Sequence, residues 1–335
     1  MIPGTPHRKH PAAWQQELAS ALTDPAELIQ LLRLDPTLIE PARVAARQFG
    51  LRVPRGYVAR MRVGDSNDPL LRQVLPLAAE DAVVDGFSCD PVGDLAAMAV
   101  PGVLQKYQGR LLLTATGACA IHCRYCFRRH FPYADANPAV DGWQQAIDHI
   151  AADPSVHEVI LSGGDPLTLV DAKLAALIDA LAALPQVQRL RLHTRLPIVL
   201  PARVTDDLCA AIANTRLACV VVVHANHPSE IDAEVRGALA RLRESGIALL
   251  NQSVLLRGVN DEAGILCALS EALFAAGALP YYLHQMDRVA GAAHFEVDDA
   301  TAKLLWERMA ARLPGYLVPR LVREEAGAPA KTIVR

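Results

Sequence analysis

Three cysteines stand within eight residues in the stretch Thr114 to Arg129, spaced as Cys119-x3-Cys123-x2-Cys126 just past the apolar run Leu111-Leu112-Leu113. Thiolates gathered at a strand end can close on one metal centre. Structural zinc asks for four tetrahedral ligands, and only His122 and His130 stand near enough in sequence to complete such a set. Three thiolates in this unequal spacing suit a 4Fe-4S cluster that keeps one iron free of protein ligands, a place for a small molecule to bind. Cysteine is often no more than a small buried hydrophobe. Three of the seven cysteines in one polar, arginine-rich loop argue against that bland role.

The chain around this loop has 335 residues, 52% of them hydrophobic, with a formal net charge of −3. That length can bury one barrel-sized domain with a smaller companion. No block of like charge offers a surface for nucleic acid or membrane. The longest apolar run, Leu217 to Val223, is far too short to span a bilayer. Met1 to His10 carries no apolar signal core. An odd number of cysteines, clustered rather than spread as a disulfide framework, fits a reducing cytoplasm.

Residues 1–76 are expected to form an N-terminal helical region, its pattern beginning near residue 10. Trp14, Leu18 and Leu22 recur at i, i+4 and i+8 along one face. Asp24-Pro25 starts a helix carrying Leu28, Leu31 and Leu32, and a helix pair broken near Gly50 and Pro54 spans Pro41 to Met61. Arg60 and Arg62 are expected on a solvated face. Residues 77–110 read as a connecting segment, with turn signals at Asp85-Gly86, Asp90-Pro91, Gly93-Asp94 and Pro101-Gly102. Across 111–314, strand runs at 111–116, 156–162, 187–194, 218–224, 248–256 and 280–285 alternate with helical patterns at 169–184, 205–213, 230–244, 262–276 and 298–312. Near-continuous apolar runs mark buried parallel strands. The fold class is therefore α/β, six strand–helix units with helices outside a mostly parallel sheet. Residues 315–335, with Pro319, Gly327 and Pro329, read as an extended C-terminal arm.

Ligands of parallel α/β folds bind at the carboxyl ends of the strands. The cysteine loop, Gly163-Gly164-Asp165, His193-Thr194-Arg195, His224, Gln252 and Asp287 fall at or near the ends of the six strands in turn. Alone, each is weak: a Gly-Gly-Asp-Pro turn is usually only a turn, and a single histidine is usually structural. A polar group from every unit points to one common pocket.

The cysteine motif resembles the signature of the radical S-adenosylmethionine (SAM) superfamily. Leu161-Ser-Gly-Gly-Asp-Pro-Leu167, Asn226-His-Pro-Ser-Glu-Ile231, Asn251-Gln-Ser-Val-Leu-Leu-Arg-Gly-Val-Asn-Asp261 and His284-Gln-Met-Asp287 are similar to the lysine 2,3-aminomutase family. The short C-terminus and the stretch from His284 to Phe295 look most like the branch that makes β-lysine for modifying elongation factor P. The resemblance runs from about Asp90 to Lys331.

It implies that the six units close as a partial (β/α)6 radical SAM barrel holding a 4Fe-4S cluster, SAM and pyridoxal 5'-phosphate (PLP). Cys119, Cys123 and Cys126 would hold the cluster, with the amine and carboxylate of SAM on the free iron. Tyr125 would pack against adenine. The Gly163-Gly164-Asp165 motif would contact the SAM amine where side chains would clash. His224 and Gln252 would reach its carboxylate or ribose. A Schiff base with PLP needs a lysine amine. Of the five lysines, Lys9 sits in a polar terminus and Lys173 and Lys303 in amphipathic helices, which leaves Lys106 and Lys331. The resemblance assigns Lys331 to PLP, although Gly327-Ala-Pro-Ala replaces the family's glycine run, and places Lys106 and Arg110 near the phosphate. Arg128 would grip the substrate carboxylate. Asp287 and Glu324 would face its ε-ammonium, with Glu324 where aspartate is common; a plain salt bridge with Arg288 is the competing role for Asp287.

The implied activity is isomerisation of L-lysine to β-lysine, in the (R) form for elongation factor P, with an electron donor and a functional link to an elongation factor P lysyl ligase. An aminomutase acting on glutamate would call for basic residues where Asp287 and Glu324 stand. A non-catalytic iron–sulfur or zinc protein would need neither a PLP lysine nor six polar strand ends.

Overall fold

The computed structural model describes residues 12–134, 136 and 142–334. The Met1 to His10 stretch, with Lys9, lies outside the described residues. Among the described residues, ten strands form one sheet in sequence order: β1 (Met98–Val100), β2 (Val103–Tyr107), β3 (Arg110–Thr116), β4 (Glu158–Gly163), β5 (Arg189–Thr194), β6 (Ala218–Val223), β7 (Ala248–Leu255), β8 (Leu279–Gln285), β9 (Arg320–Arg323) and β10 (Thr332–Ile333). Neighbours from β3 to β9 run parallel, while β1 and β2 fold antiparallel onto β3 and β10 onto β9. The helices are α1 (Ala13–Ala19), α2 (Pro25–Leu31), α3 (Ile39–Ala46), α4 (Arg55–Val58), α5 (Pro69–Arg72), α6 (Gln144–Ala152), α7 (Asp171–Ala182), α8 (Leu196–Val199), α9 (Asp206–Ala213), α10 (Ala233–Glu244), α11 (Ala263–Ala275) and α12 (Asp299–Ala310). Each strand from β3 to β8 is followed by a helix, giving the partial (β/α)6 barrel. No helix among the described residues is long and apolar enough to cross a membrane.

Local chemistry explains the units. The helix-facing residues of β4 and β5, Val159, Leu161, Leu190 and Leu192, are fully buried, and α7 turns Leu174, Leu177, Ile178 and Leu181 onto the same core. Thr205, Asp232 and Asp298 cap α9, α10 and α12 by accepting backbone N–H bonds at 3.1, 2.9 and 2.9 Å.

Several expectations change. Leu22 does not continue α1: Asp24, extended ahead of Pro25, starts a new helix, and Leu22 instead bridges Val53. Leu31 faces solvent while Leu28 and Leu32 are buried. Helix α6, with no counterpart among the expected helical runs, completes the first unit. The sheet begins before residue 111 and continues past residue 314. The connecting segment supplies β1 and β2, and the arm supplies β9 and β10, because short edge strands take their order from a partner rather than from their own pattern. Arg62 is exposed beside Asp65 and Asp68. Arg60 is not solvated: it donates to Glu230 O at 2.7 Å and Ile198 O at 2.8 Å, tying the N-terminal helices to the barrel.

Candidate active site

The cysteine loop leaves the end of β3 and is pinned from below. Gly163 has φ +106°, and a Cβ there would lie 2.4 Å from Thr114 Cγ2; one on Gly164 would lie 2.3 Å from Ala118 O. Gly164 N and Asp165 N donate to Thr116 O and Ala118 O, both at 2.8 Å. The side on which a Cβ would stand is thus taken by Thr114 and by the backbone of Thr116 to Ala118. Asp165 is also consumed internally. It accepts from Thr194 Oγ1 and Arg195 N at 2.7 Å, Leu167 N at 3.0 Å and Leu196 N at 3.2 Å. Burial pushes its carboxyl up to about 6, against those hydrogen bonds. Asp165 therefore ties the ends of β4 and β5 together.

From the N-terminal side, the buried Glu80 pairs with Arg124 and, at 2.7 Å, with Arg129. Arg124 also donates to Phe49 O at 2.6 Å. His122 and His130, the possible fourth zinc ligands, each turn a ring nitrogen to a backbone carbonyl, Gly50 O at 2.8 Å and Ala290 O at 3.1 Å. The Tyr125 hydroxyl accepts from Asn226 Nδ2 at 2.7 Å and Arg195 Nη1 at 2.6 Å, and its ring meets Phe295 edge-on. Burial, then the neighbouring Cys123, pushes the Cys126 thiol up to about 11. Burial, Asp165 and the other two thiolates raise Cys119 well above its usual range. Thiols that oppose each other's ionisation are matched by a cationic metal centre, which deprotonates coordinating thiols outright. The donor set fits a cluster.

Beside this loop a cavity of about 350 Å³ runs inside the barrel, within the size range of small-ligand sites. Lys106, Arg110, Arg128 and His224 line it, as do Gln252, Asp287, Glu324 and Lys331. The structure thus gathers these eight expected residues, and leaves Tyr125, in the cysteine loop, and Gly163, Gly164 and Asp165, packed against it, outside the cavity lining. Lys331 Nζ lies 2.5 Å from Glu324, which also accepts from Tyr107 OH at 2.8 Å and sits 3.7 Å from Lys106. Glu324 is therefore the counter-ion of Lys331 and a more distant one of Lys106. Arg110 lies over the Tyr107 ring. Asp287 makes no ion pair among the described residues, and Arg288 is turned away to Glu296 at 2.7 Å. Burial pushes the Asp287 carboxyl up to about 7; Lys331 partly offsets this and Glu324 adds to it.

Asp94, from the connecting segment, carries the ion pairs that organise this end: 2.6 Å to Lys106 Nζ and 2.6 Å to Arg128 Nε. Burial alone would raise its carboxyl, and Arg128 and Lys106 hold it below the usual range instead. Arg128 Nη1 reaches Ser162 at 3.3 Å, which leaves Nη2 without a protein partner among the described residues. The arginine offers its Nη edge to a substrate, not the whole fork. Three histidines, His193, His224 and His284, bury an Nε2 with no hydrogen-bond partner among the described residues. Burial and then Arg195 push His224 down to about 3, and burial holds His193 and His284 well below the usual histidine range. Neutral orphan nitrogens and the cationic side chains of Lys106, Arg110, Arg128 and Lys331 around one cavity fit a polar, phosphate-bearing group. His193 lines the cavity as its strand-end position led one to expect, though with no assigned role, while Asp94, Ser162 and His284 were not among the expected site residues. Strand positions offered a signal for Ser162 and His284, and nothing local marked Asp94.

The model of the radical SAM superfamily matches residues 113–265. An L-lysine 2,3-aminomutase of Escherichia coli (strain K12) is 48% identical over 98% of this chain and 95% of its own length. One of Haemophilus influenzae is 47% identical over 99% of this chain and 98% of its length, and one of Clostridium subterminale is 32% identical over 96% and 77%. On this similarity the chain belongs to the lysine 2,3-aminomutase family of radical SAM enzymes, isomerases that use a 4Fe-4S cluster, SAM and PLP.

Proposed function

We propose that this enzyme converts L-lysine to β-lysine. The observation that carries the reading is Asp287, a carboxylate on the cavity wall that makes no ion pair among the described residues. A substrate ammonium supplies that cation. A glutamate substrate would instead bring a second carboxylate toward Asp287 and Glu324.

The chain's residues divide the work. Cys119, Cys123 and Cys126 hold the cluster, and His224 and Gln252, lining the adjoining cavity, hold SAM. Lys331 attaches PLP, with Lys106 and Arg110 placed for its phosphate. Bound there, the cluster with SAM supplies a hydrogen-abstracting radical, and PLP a carrier for the migrating nitrogen. Arg128 Nη2, held still by the Asp94 pair on Nε, orients the substrate carboxylate next to the cysteine loop. Asp287 receives the ε-ammonium, and the apolar wall of Leu111, Ile160 and Val254 keeps water from the reacting carbons. An external reductant is required for the cluster. We assign the product, (R)-β-lysine, to a ligase that modifies elongation factor P; the His284 to Phe295 stretch, which looks like that branch, supports this.

The test is anaerobic incubation of reconstituted enzyme with L-lysine, SAM, PLP and reductant, followed by chiral separation of α- and β-lysine. β-Lysine formed with SAM and not without it supports the reading. Turnover of glutamate in preference to lysine would refute it.

A further inference from the structure

Arg195 follows β5 and lies buried under the cysteine loop, outside the cavity. Its Nη1 donates to Cys123 Sγ at 2.6 Å as well as to Tyr125 OH. Its Nη2 donates to Gln73 Oε1 and Glu230 Oε1 at 2.7 Å and to Tyr57 OH at 3.2 Å. Glu230 is fully buried. It accepts three further bonds, from Tyr57 OH at 2.9 Å, Asn226 N at 2.5 Å and His227 N at 2.9 Å. The carboxylate is saturated and fixed, so the guanidinium is fixed too. A guanidinium keeps its charge across the pH range of proteins. One permanent cation therefore stands between a carboxylate behind it and a cysteine sulfur in front.

We propose that Arg195 is a positioning residue for the cluster: its N–H holds the Cys123 sulfur, its charge raises the cluster's reduction potential, and Glu230 is the opposing charge that trims it. This rests on the assignment of Cys123 as a cluster ligand. Reduction adds one negative charge to the cluster. Hydrogen bonds to the sulfurs and nearby charge set its potential, and a fixed cation at a ligand sulfur favours the reduced form. The carboxylate acts from behind the guanidinium and so opposes it more weakly.

The experiment uses the full chain, anaerobically reconstituted, with iron and sulfide analysis and a redox titration followed by electron paramagnetic resonance, without lysine or turnover. Arg195→Gln is expected to keep four irons and titrate at lower potential. At the potential where half the wild-type cluster is reduced, its reduced-to-oxidised ratio falls about tenfold, which is 59 mV for one electron. Glu230→Gln is expected to move the opposite way. Arg195→Lys keeps the charge, loses one arm of the fork, and is expected to move down by less. If Arg195→Gln does not fold, Arg195→Lys and Glu230→Gln carry the test. Iron-replete variants that titrate with wild type, or that all shift in one direction, overturn the proposal. Wild-type protein that takes up no iron would overturn the cluster assignment, and the proposal with it.

Discussion

Asp287→Asn keeps the shape of the side chain and removes its charge. The Asp287 carboxyl titrates near 7 against an ordinary 3.8. That rise of about 3 units, at 1.36 kcal/mol each, is about 4 kcal/mol of cost for holding the anion without a partner. Burial causes most of it; Lys331 and Lys106 relieve part, and Glu324 adds to it. A bound ε-ammonium removes that cost, and an amide cannot replace the pair. Losing one partner of a desolvated pair costs roughly 3–5 kcal/mol. Asp287 is only partly buried, so the lower end applies, and kcat/KM for lysine should fall on the order of a hundredfold.

The pH dependence has a definite sign. Only the anion receives the ammonium, so wild-type kcat/KM should rise with pH through about 7, and the variant should lose that limb. For folding, an acid whose native pKa is raised contributes fully below its unfolded value and loses that contribution as pH climbs through the native value. Ligand-free Asp287→Asn should therefore resist urea better than wild type at pH above about 7, and the gap should narrow in acid. Assays are β-lysine formation across pH and urea unfolding of the ligand-free protein. Asp287→Asn with normal iron and PLP content and lysine turnover within a few-fold of wild type would refute the reasoning.

Alanine at Cys119, Cys123 or Cys126 should abolish iron uptake on reconstitution, whereas Cys89, Cys209, Cys219 and Cys267 should be dispensable for it; four irons retained in Cys119→Ala would contradict the cluster assignment. Borohydride reduction of the PLP-loaded enzyme and peptide mapping should find the pyridoxyl group on Lys331, and a label on Lys106 would reverse their roles. Gly164→Ala places a methyl 2.3 Å from Ala118 O, so the cysteine loop must shift; a sharp loss of iron retention is expected, and wild-type iron content would show that the loop yields without cost.

Much of the site was legible because its signals are local. Cysteine spacing is covalent, and the alternation of apolar runs with helical patterns is set by strand and helix periodicity. Strand ends follow from strands, and so the positions of His224, Gln252 and Asp287 are legible in the sequence. A glycine in the sequence shows only that something comes close; that Thr114 and the backbone of Thr116 to Ala118 crowd Gly163 and Gly164 needs the folded chain. Tyr125 is likewise recognisable as an aromatic beside the cluster, but nothing local shows that Asn226 and Arg195 bind its hydroxyl.

By itself, the amino-acid sequence determined the six strand–helix units, the clustered spacing of three cysteines and the polar strand ends, since each depends on short-range spacing and on which residues can be buried; closure into a partial barrel came from the family resemblance. Only the tertiary structure decided the partners. Asp94 joins Lys106 to Arg128, Glu324 pairs with Lys331, and Arg195 reaches Cys123 across 72 positions of chain. The two edges of the sheet were decided in the same way, because a short strand gains its hydrogen bonds only from a neighbour. Contacts between distant segments are chosen by packing and charge compensation over the whole core, and no local run of residues encodes them.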